Sequence, residues 1–241
     1  GIGFSQVIPP QQLAAHIAGI RAEGFPDYTV RPAGERALYT SIVYLEPFRE
    51  RNLRAFGFDM FSEPVRRAAM EQARDSGAPA LSGKVELVQE TGTEVQAGTL
   101  MYVPVYRNGA PSDTVEQRRA ALIGWSYSPY RMNDLLEGIL ANWDEHKTRR
   151  AHLQIYAGLE VKPDSLLYDS RPARTQKIDP LLHQQRTIDF NGQHWLLVFH
   201  AGERVAPIGY ANAWATLAGG IALSSLLCAL MLALARQVRA R

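Results

Sequence analysis

The chain has a single cysteine, Cys228, among its 241 residues, and it lies inside the longest apolar run. No disulfide framework can form within one chain, and thiol catalysis is excluded everywhere before that run. Charge of one sign is not in excess: 26 Lys and Arg stand against 24 Asp and Glu, a formal net charge of +2. No basic face is needed to explain that balance, so a nucleic-acid partner is not expected. There is no G-x-S-x-G elbow, no H-E-x-x-H pair and no P-loop. The histidines (His16, His146, His152, His183, His194 and His200) include no i, i+4 pair. His194 and His200 fall at even spacing on one predicted strand and could share a face, but a metal needs more ligands than that. No metal, cofactor or catalytic residue is therefore assigned. Internal repeats and low-complexity tracts are also lacking.

What is present begins at the C-terminal end. Ala213 to Ala235 (AWATLAGGIALSSLLCALMLALA) carries no charge and is long enough to cross about 30 Å of hydrocarbon at ~1.5 Å per residue. Tyr210 and Trp214 sit at one end, where interface aromatics belong. Arg236, Arg239 and Arg241 sit at the other, which by the positive-inside bias faces the cytoplasm. Residues 1 to about 211 are then expected outside the cytoplasm, in the periplasm of a cell with an inner membrane. The alternative is a buried core helix. Ala215, Gly219, Gly220, Ser224 and Cys228 recur at small-xxx-small spacing, a weak signal for a helix–helix contact.

The chain before that run is organised around Phe56 to Tyr106. Ser62 is a candidate N-cap, Glu63 suits the positive end of a helix dipole, and Pro64 fits the first turn. Val65, Ala69, Gln72 and Ala73 then follow helical spacing, with Arg66, Arg67, Glu71 and Arg74 expected toward water. Gly77 stops the helix and Pro79 prevents its restart. Lys84 to Leu87 alternates as a strand, Glu90-Thr91-Gly92 turns, and Thr99 to Tyr106 reads as a second, more apolar strand. Leu100, Tyr102 and Pro104 share one face of it and Thr99, Met101 and Val103 the other. Which face lines a cavity is open. Tyr39, Tyr44 and Trp125 are open between core and cavity.

Around this centre, residues 10 to 24 predict an amphipathic helix striped by Leu13, Ile17 and Ile20. Tyr28 to Arg31 and Ala37 to Leu45 predict strands, and Phe48 to Ala55 a helical turn. Asn108-Gly109 is a turn signal and Thr114 a candidate cap. Ala121 to Tyr127 predicts a strand and Met132 to Ala141 a helix with Leu135, Leu136, Ile139 and Leu140 inward. Trp143 to Arg150 turns charged and helical. Strands at His152 to Tyr156 and Leu166 to Tyr168 follow, then a hairpin from Thr187 to His200 through Asn191-Gly192. The fold class is α+β: two PAS-like antiparallel-sheet units followed by one transmembrane helix. The first unit spans 1–145, a smaller one 146–211, the membrane helix 212–235, and a short cytoplasmic start 236–241.

FGFDM (56–60), SEPVRRAAMEQARDSG (62–77), ALSGKVELVQET (80–91) and QAGTLMYVPVY (96–106), with YLEPFRERNLRAF (44–56) before them, closely resemble the CHASE domain, the extracellular sensory module of membrane receptors. The resemblance implies a membrane-distal and a membrane-proximal PAS-like unit, as in plant cytokinin receptors. It also implies a preceding transmembrane helix and a cytoplasmic output domain, a histidine kinase or a nucleotide (diguanylate) cyclase. Neither falls within this chain, which opens at Gly1 without a signal-like segment, so a truncation on both sides is expected.

Asp59, between Phe58 and Met60, is the foremost polar candidate. A carboxylate in that apolar setting is costly unless paired. It could receive donors from a ligand, or it could brace the loop or pair with an arginine such as Arg54. The resemblance implies the first role, since the corresponding aspartate of cytokinin receptors hydrogen-bonds the hormone's adenine. It likewise implies ligand contacts for Leu81, through its main chain, and for Thr91. Read from the residues alone, Leu81 is a core strand residue and Thr91 a turn residue. The arginines at 49, 51, 54, 66, 67 and 74 read as a solvated face or as an anion site.

The expected function is ligand sensing: a small molecule, adenine-type by the resemblance, binds the distal unit of a homodimer and the signal passes through the membrane helix. The alternative is a protein-interaction or dimerisation module without a small-molecule ligand. An anchored enzyme is the third reading, with no catalytic constellation to support it.

Overall fold

The computed structural model describes residues 1–89, 95–140, 151–170, 183–201 and 210–239. Alternating burial from the second residue onward makes β1 (Ile2–Ile8) a strand with one face inside. It pairs antiparallel with β2 (Tyr39–Glu46) on one side and with β6 (Leu122–Arg131) on the other. β5 (Ala97–Tyr106) pairs with β6, and the short β3 (Ala80–Leu81) and β4 (Val85–Glu86) both pair with β5. The order of this first sheet is β2-β1-β6-β5-β3, with β4 off the path. A second antiparallel sheet runs β8-β7-β10-β9, built from β7 (Ala151–Ala157), β8 (Leu166–Asp169), β9 (His183–Phe190) and β10 (Gln193–Ala201). Asn191 and Gly192 both take positive φ in the turn between β9 and β10, as a two-residue hairpin requires.

Five helices accompany the sheets among the described residues: α1 (Leu13–Ala22), α2 (Pro64–Ser76), α3 (Val115–Ala121), α4 (Met132–Leu140) and α5 (Tyr210–Arg239). Ala69, Met70 and Ala73 of α2 pack, with Met60, on Leu100, Tyr102, Trp125 and Tyr127 of the first sheet. The Trp125 indole donates to the Met70 carbonyl at 2.9 Å. The inward face of β5 toward α2 is thus Leu100 and Tyr102. Its opposite face turns toward the second sheet, where Leu81, Met132 and Leu136 join Leu153, Ile155, Leu167 and Trp195 in one cluster. Leu81 donates its amide to the Asn191 carbonyl at 2.9 Å.

Several local expectations are corrected. Residues 28–31 form no strand; Arg31 makes only an isolated parallel bridge with Phe58. β1 was not expected, and the strand at Leu81 is only the two residues of β3. β4 is two residues long. The cap of α2 is Glu63, whose carboxylate accepts from the amides of Val65 and Arg66 at 2.9 Å; Ser62 instead donates to the Asp59 carbonyl. Arg66 is buried rather than solvated. Its head is satisfied by the Glu86 carbonyl at 2.6 Å, lies near Glu63 and covers the Phe58 ring, so burial carries no unpaired charge. Val65 and Ile139 point outward instead of inward. The capping box of α3, Thr114 with Gln117, is formed. The charged stretch 143–150 and the turn at 90–92 lie outside the described residues.

Trp214–Leu234 is long and apolar enough to cross a membrane, and none of that stretch is buried by protein. A core helix would be covered.

Candidate functional site

The Asp59 site is built from a chain reversal. Gly57 takes φ +82°, and a Cβ there would stand 2.3 Å from the Thr29 carbonyl oxygen, so only glycine lets the chain pass. The Gly57 amide donates to Ile42 at 3.0 Å and its carbonyl accepts from Arg31 at 2.9 Å; the Asp59 amide donates to the Arg31 carbonyl at 2.6 Å. The segment is held between β2 and residue 31, and the Asp59 side chain is directed inward, with no solvent exposure.

Its two carboxylate oxygens have different surroundings. Oδ1 accepts from the Thr40 amide at 3.0 Å, the Thr40 hydroxyl at 2.7 Å and the Phe61 amide at 3.1 Å. The last of these caps the 3-10 turn Met60–Ser62. Oδ2 is buried and accepts no hydrogen bond; its nearest partner is Nη1 of Arg36 at 3.5 Å. Burial pushes the Asp59 carboxyl above its ordinary range, against the pull of the Thr40 donors, Arg36 and the Phe61 amide.

Arg36 joins this carboxylate to an exposed loop. Its guanidinium also donates to the carbonyls of Pro32 at 2.9 Å and of Ala33 and Gly34 at 3.3 Å. It lies 5.5 Å from the centre of the Tyr39 ring, and the Tyr39 hydroxyl donates to the Gly34 carbonyl at 2.9 Å.

Asp59 therefore braces its loop, as one of the two sequence readings has it, but through Thr40, with Arg36 as its ionic neighbour in place of Arg54. Thr40 and Arg36 escaped sequence reasoning. The signal was faint: β2 carries Thr40 and Ser41 side by side, both fully buried. Leu81 is buried in β3, with its amide already given to Asn191 and its side chain in the cluster between the sheets. The neighbours of Asp59, Phe58 and Met60, belong to the cluster under α2. Among the described residues, then, Asp59 and Leu81 are not brought into one cluster. Thr91 lies outside the described residues.

His194 pairs with Asp189, while His200 stacks on His152 with ring centres 5.6 Å apart. Among the described residues no group of three or more His, Cys, Asp or Glu is placed to hold a metal.

The chain is thus a two-sheet α+β domain with a half-satisfied buried carboxylate, followed by an apolar helix long enough to cross a membrane. The family model for the CHASE domain matches residues 1–168, and the chain belongs to that family. CHASE domains are extracytoplasmic sensory domains of transmembrane receptors and are not catalytic. No curated protein matches the chain.

Proposed function

We propose that this domain senses a small molecule at Asp59 and passes the signal through its membrane helix to a cytoplasmic histidine kinase or diguanylate cyclase. One observation carries the reading: Oδ2 of Asp59 is fully buried yet accepts no hydrogen bond. An acceptor in that state is costly, and a donor that reaches it recovers the cost. A ligand N–H would take the place that Arg36 holds at 3.5 Å and release the guanidinium from the carboxylate. Adenine-type molecules, with an N–H beside a ring acceptor, suit this exchange and are the ligand class that the family resemblance implies. Leu81 and Thr91 are the further contacts it implies.

An antiparallel sheet with helix α2 over one face supports a PAS-like distal unit over 1–145. The second sheet supports a smaller membrane-proximal unit over 146–211, with the membrane helix at 212–235 and the cytoplasmic side from 236. The Leu81–Asn191 hydrogen bond ties β3 of the first sheet to the turn that opens β10. β10 ends at Ala201 and the apolar helix begins at Tyr210, so movement of β3 has a short route to the membrane. The receptor works as a homodimer, in which ligand favours one arrangement of the paired helices.

A second reading has its own observation. The space between α2 and the first sheet is filled: Tyr102, Trp125, Met60 and Met70 are each at most 1% exposed. A module that only binds protein or dimerises would need no cavity. Amide NMR of the chain in detergent separates the two. Titration with adenine derivatives shifts the Thr40 and Phe61 amides if the ligand reaches Asp59; shifts confined to exposed surface residues at rising protein concentration favour the interaction module.

A further inference from the structure

Among the arginines that the sequence leaves open between a solvated face and an anion site, Arg49, Arg51 and Arg54 lie on one short stretch, and all three are exposed. None of them forms an ion pair among the described residues. The exposed acids Asp27 and Glu46 lie nearby in the chain and pair with none of them. Arg31 adds a fourth cation. Its guanidinium is docked on the carbonyls of Arg54 and Phe56, at 2.8 and 2.9 Å, with no carboxylate against it.

An aromatic cluster adjoins these charges. Phe48 and Phe56 bracket the stretch and meet Phe25, with ring centres between 5.0 and 5.7 Å apart. Tyr28 holds Phe56 from the inner side at 4.9 Å. Phe25, Phe48 and Leu53 face outward, at 37%, 42% and 43% exposure. Exposed rings braced on one another beside unpaired arginines have the composition of a protein-binding hot spot; a merely solvated face has no use for the rings.

Charge and position choose the occupant. The unpaired cations call for carboxylates. A second copy docked through the same patch would set these cations against themselves, which disfavours a two-fold contact here. The patch follows β2, one edge of the first sheet. The second sheet joins at the opposite edge, through Leu81 of β3 and Asn191, and leads by β10 to the membrane helix. The patch therefore lies at the edge remote from the anchored end, which favours a soluble protein over the lipid surface.

We propose that Phe25, Phe48 and Leu53, with Arg49, Arg51 and Arg54, form a docking surface for a soluble protein that presents an acidic segment carrying an aromatic side chain. That side chain covers the rings of Phe25 and Phe48, and its flanking carboxylates pair with the arginines. The surface is independent of a ligand at Asp59.

The test uses the whole chain in phosphatidylcholine nanodiscs and a short fluorescent peptide of glutamate and aspartate around one tryptophan. Anisotropy shows saturable binding that weakens as salt rises. The peptide with glutamine and asparagine in place of its acids does not bind, and the one with alanine in place of tryptophan binds more weakly. Arg49→Gln, Arg51→Gln and Arg54→Gln together weaken the acidic peptide at least tenfold, as does Phe48→Ser. The three arginines are exposed, so the triple variant keeps its fold even where Phe48→Ser does not. Asp59→Asn leaves binding unchanged. No peptide binding, binding that the triple variant retains, or equal binding of the neutral peptide overturns the proposal. Capture of phosphatidylglycerol vesicles by a chain that ignores the peptide, lost in the triple variant, overturns it in favour of a membrane surface. A sedimentation coefficient that falls in the triple variant overturns it in favour of a second copy.

Discussion

The hydroxyl and the amide of Thr40 both donate to the same carboxylate oxygen of Asp59, at 2.7 and 3.0 Å. With the Phe61 amide they saturate Oδ1 and fix the carboxylate's rotation, so that Oδ2 can only face Arg36 or whatever replaces it. Thr40→Val keeps the shape of the side chain and deletes one of these donors. It lowers stability by about 1–3 kcal/mol, the usual cost of leaving a buried acceptor short. Urea denaturation followed by Trp fluorescence reads the change.

Arg36 sets the pH response of the same carboxylate. Burial raises the Asp59 pKa and Arg36 opposes that rise. An acid whose folded pKa is raised holds its proton better when folded, so its contribution to stability is greatest at low pH. That contribution declines as pH climbs from about 4, the ordinary Asp value, through the folded value. Arg36→Gln removes the opposing charge, raises the folded pKa further and widens that window of loss. Unfolding free energies of the parent and Arg36→Gln, compared from pH 4 to pH 8, separate increasingly at the higher end. In an Asp59→Asn background the separation disappears.

Asp75 has the opposite sign. The Arg119 and Arg74 guanidiniums each donate to it at 2.6 Å and hold its carboxyl well below the usual range. Its contribution is present above about pH 4 and is lost as pH falls through and below that value. The pair ties α2 to α3 at a partly exposed site, so screening by solvent keeps the effect modest. Asp75→Asn lowers stability modestly at neutral pH and by less as pH falls, so the acid limb of its stability profile is flatter than the parent's.

Gly57 is the residue on which the approach to Asp59 turns. Gly57→Ala combines a positive φ with a Cβ placed 2.3 Å from the Thr29 carbonyl oxygen, so Tyr28–Thr29 or the 57–59 segment must shift. The expected cost is about 3 kcal/mol or more. The shift also disturbs the Thr40 and Phe61 amides, which amide NMR detects as loss of their native positions.

Much of the architecture was legible in the sequence because it rests on local signals. Pro64 with Gly77 bounded α2, Thr114 announced the cap of α3, and Asn191-Gly192 announced the hairpin of the second sheet. β1 was missed because its small and polar residues, Gly3, Ser5 and Gln6, hide the alternation; Ser5 is fully buried between β2 and β6. Arg66 was misplaced because burial of an arginine depends on partners far along the chain, here the Glu86 carbonyl. At the site, Asp59 was legible from its apolar flanks. Thr40 and Arg36 were not, since their distance to Asp59 is set by the pairing of β2 with β1 and by the 57–59 reversal rather than by any motif. The resemblance to CHASE sensors implies a ligand contact through the main chain of Leu81; its side chain packs between the two sheets.

The most direct test of ligand sensing at Asp59 is a thermal-shift screen of the whole chain in detergent. The library contains adenine derivatives, amino acids, dicarboxylates and small aromatics, and the screen is repeated on Asp59→Asn. A true ligand at 100 times its dissociation constant stabilises the fold by about 2.7 kcal/mol. The account predicts at least one hit from the adenine derivatives, lost in Asp59→Asn, which keeps the shape of the side chain but puts a donor or a neutral oxygen where Oδ2 stood. A hit of undiminished size in that variant, or no hit across the library, would contradict it.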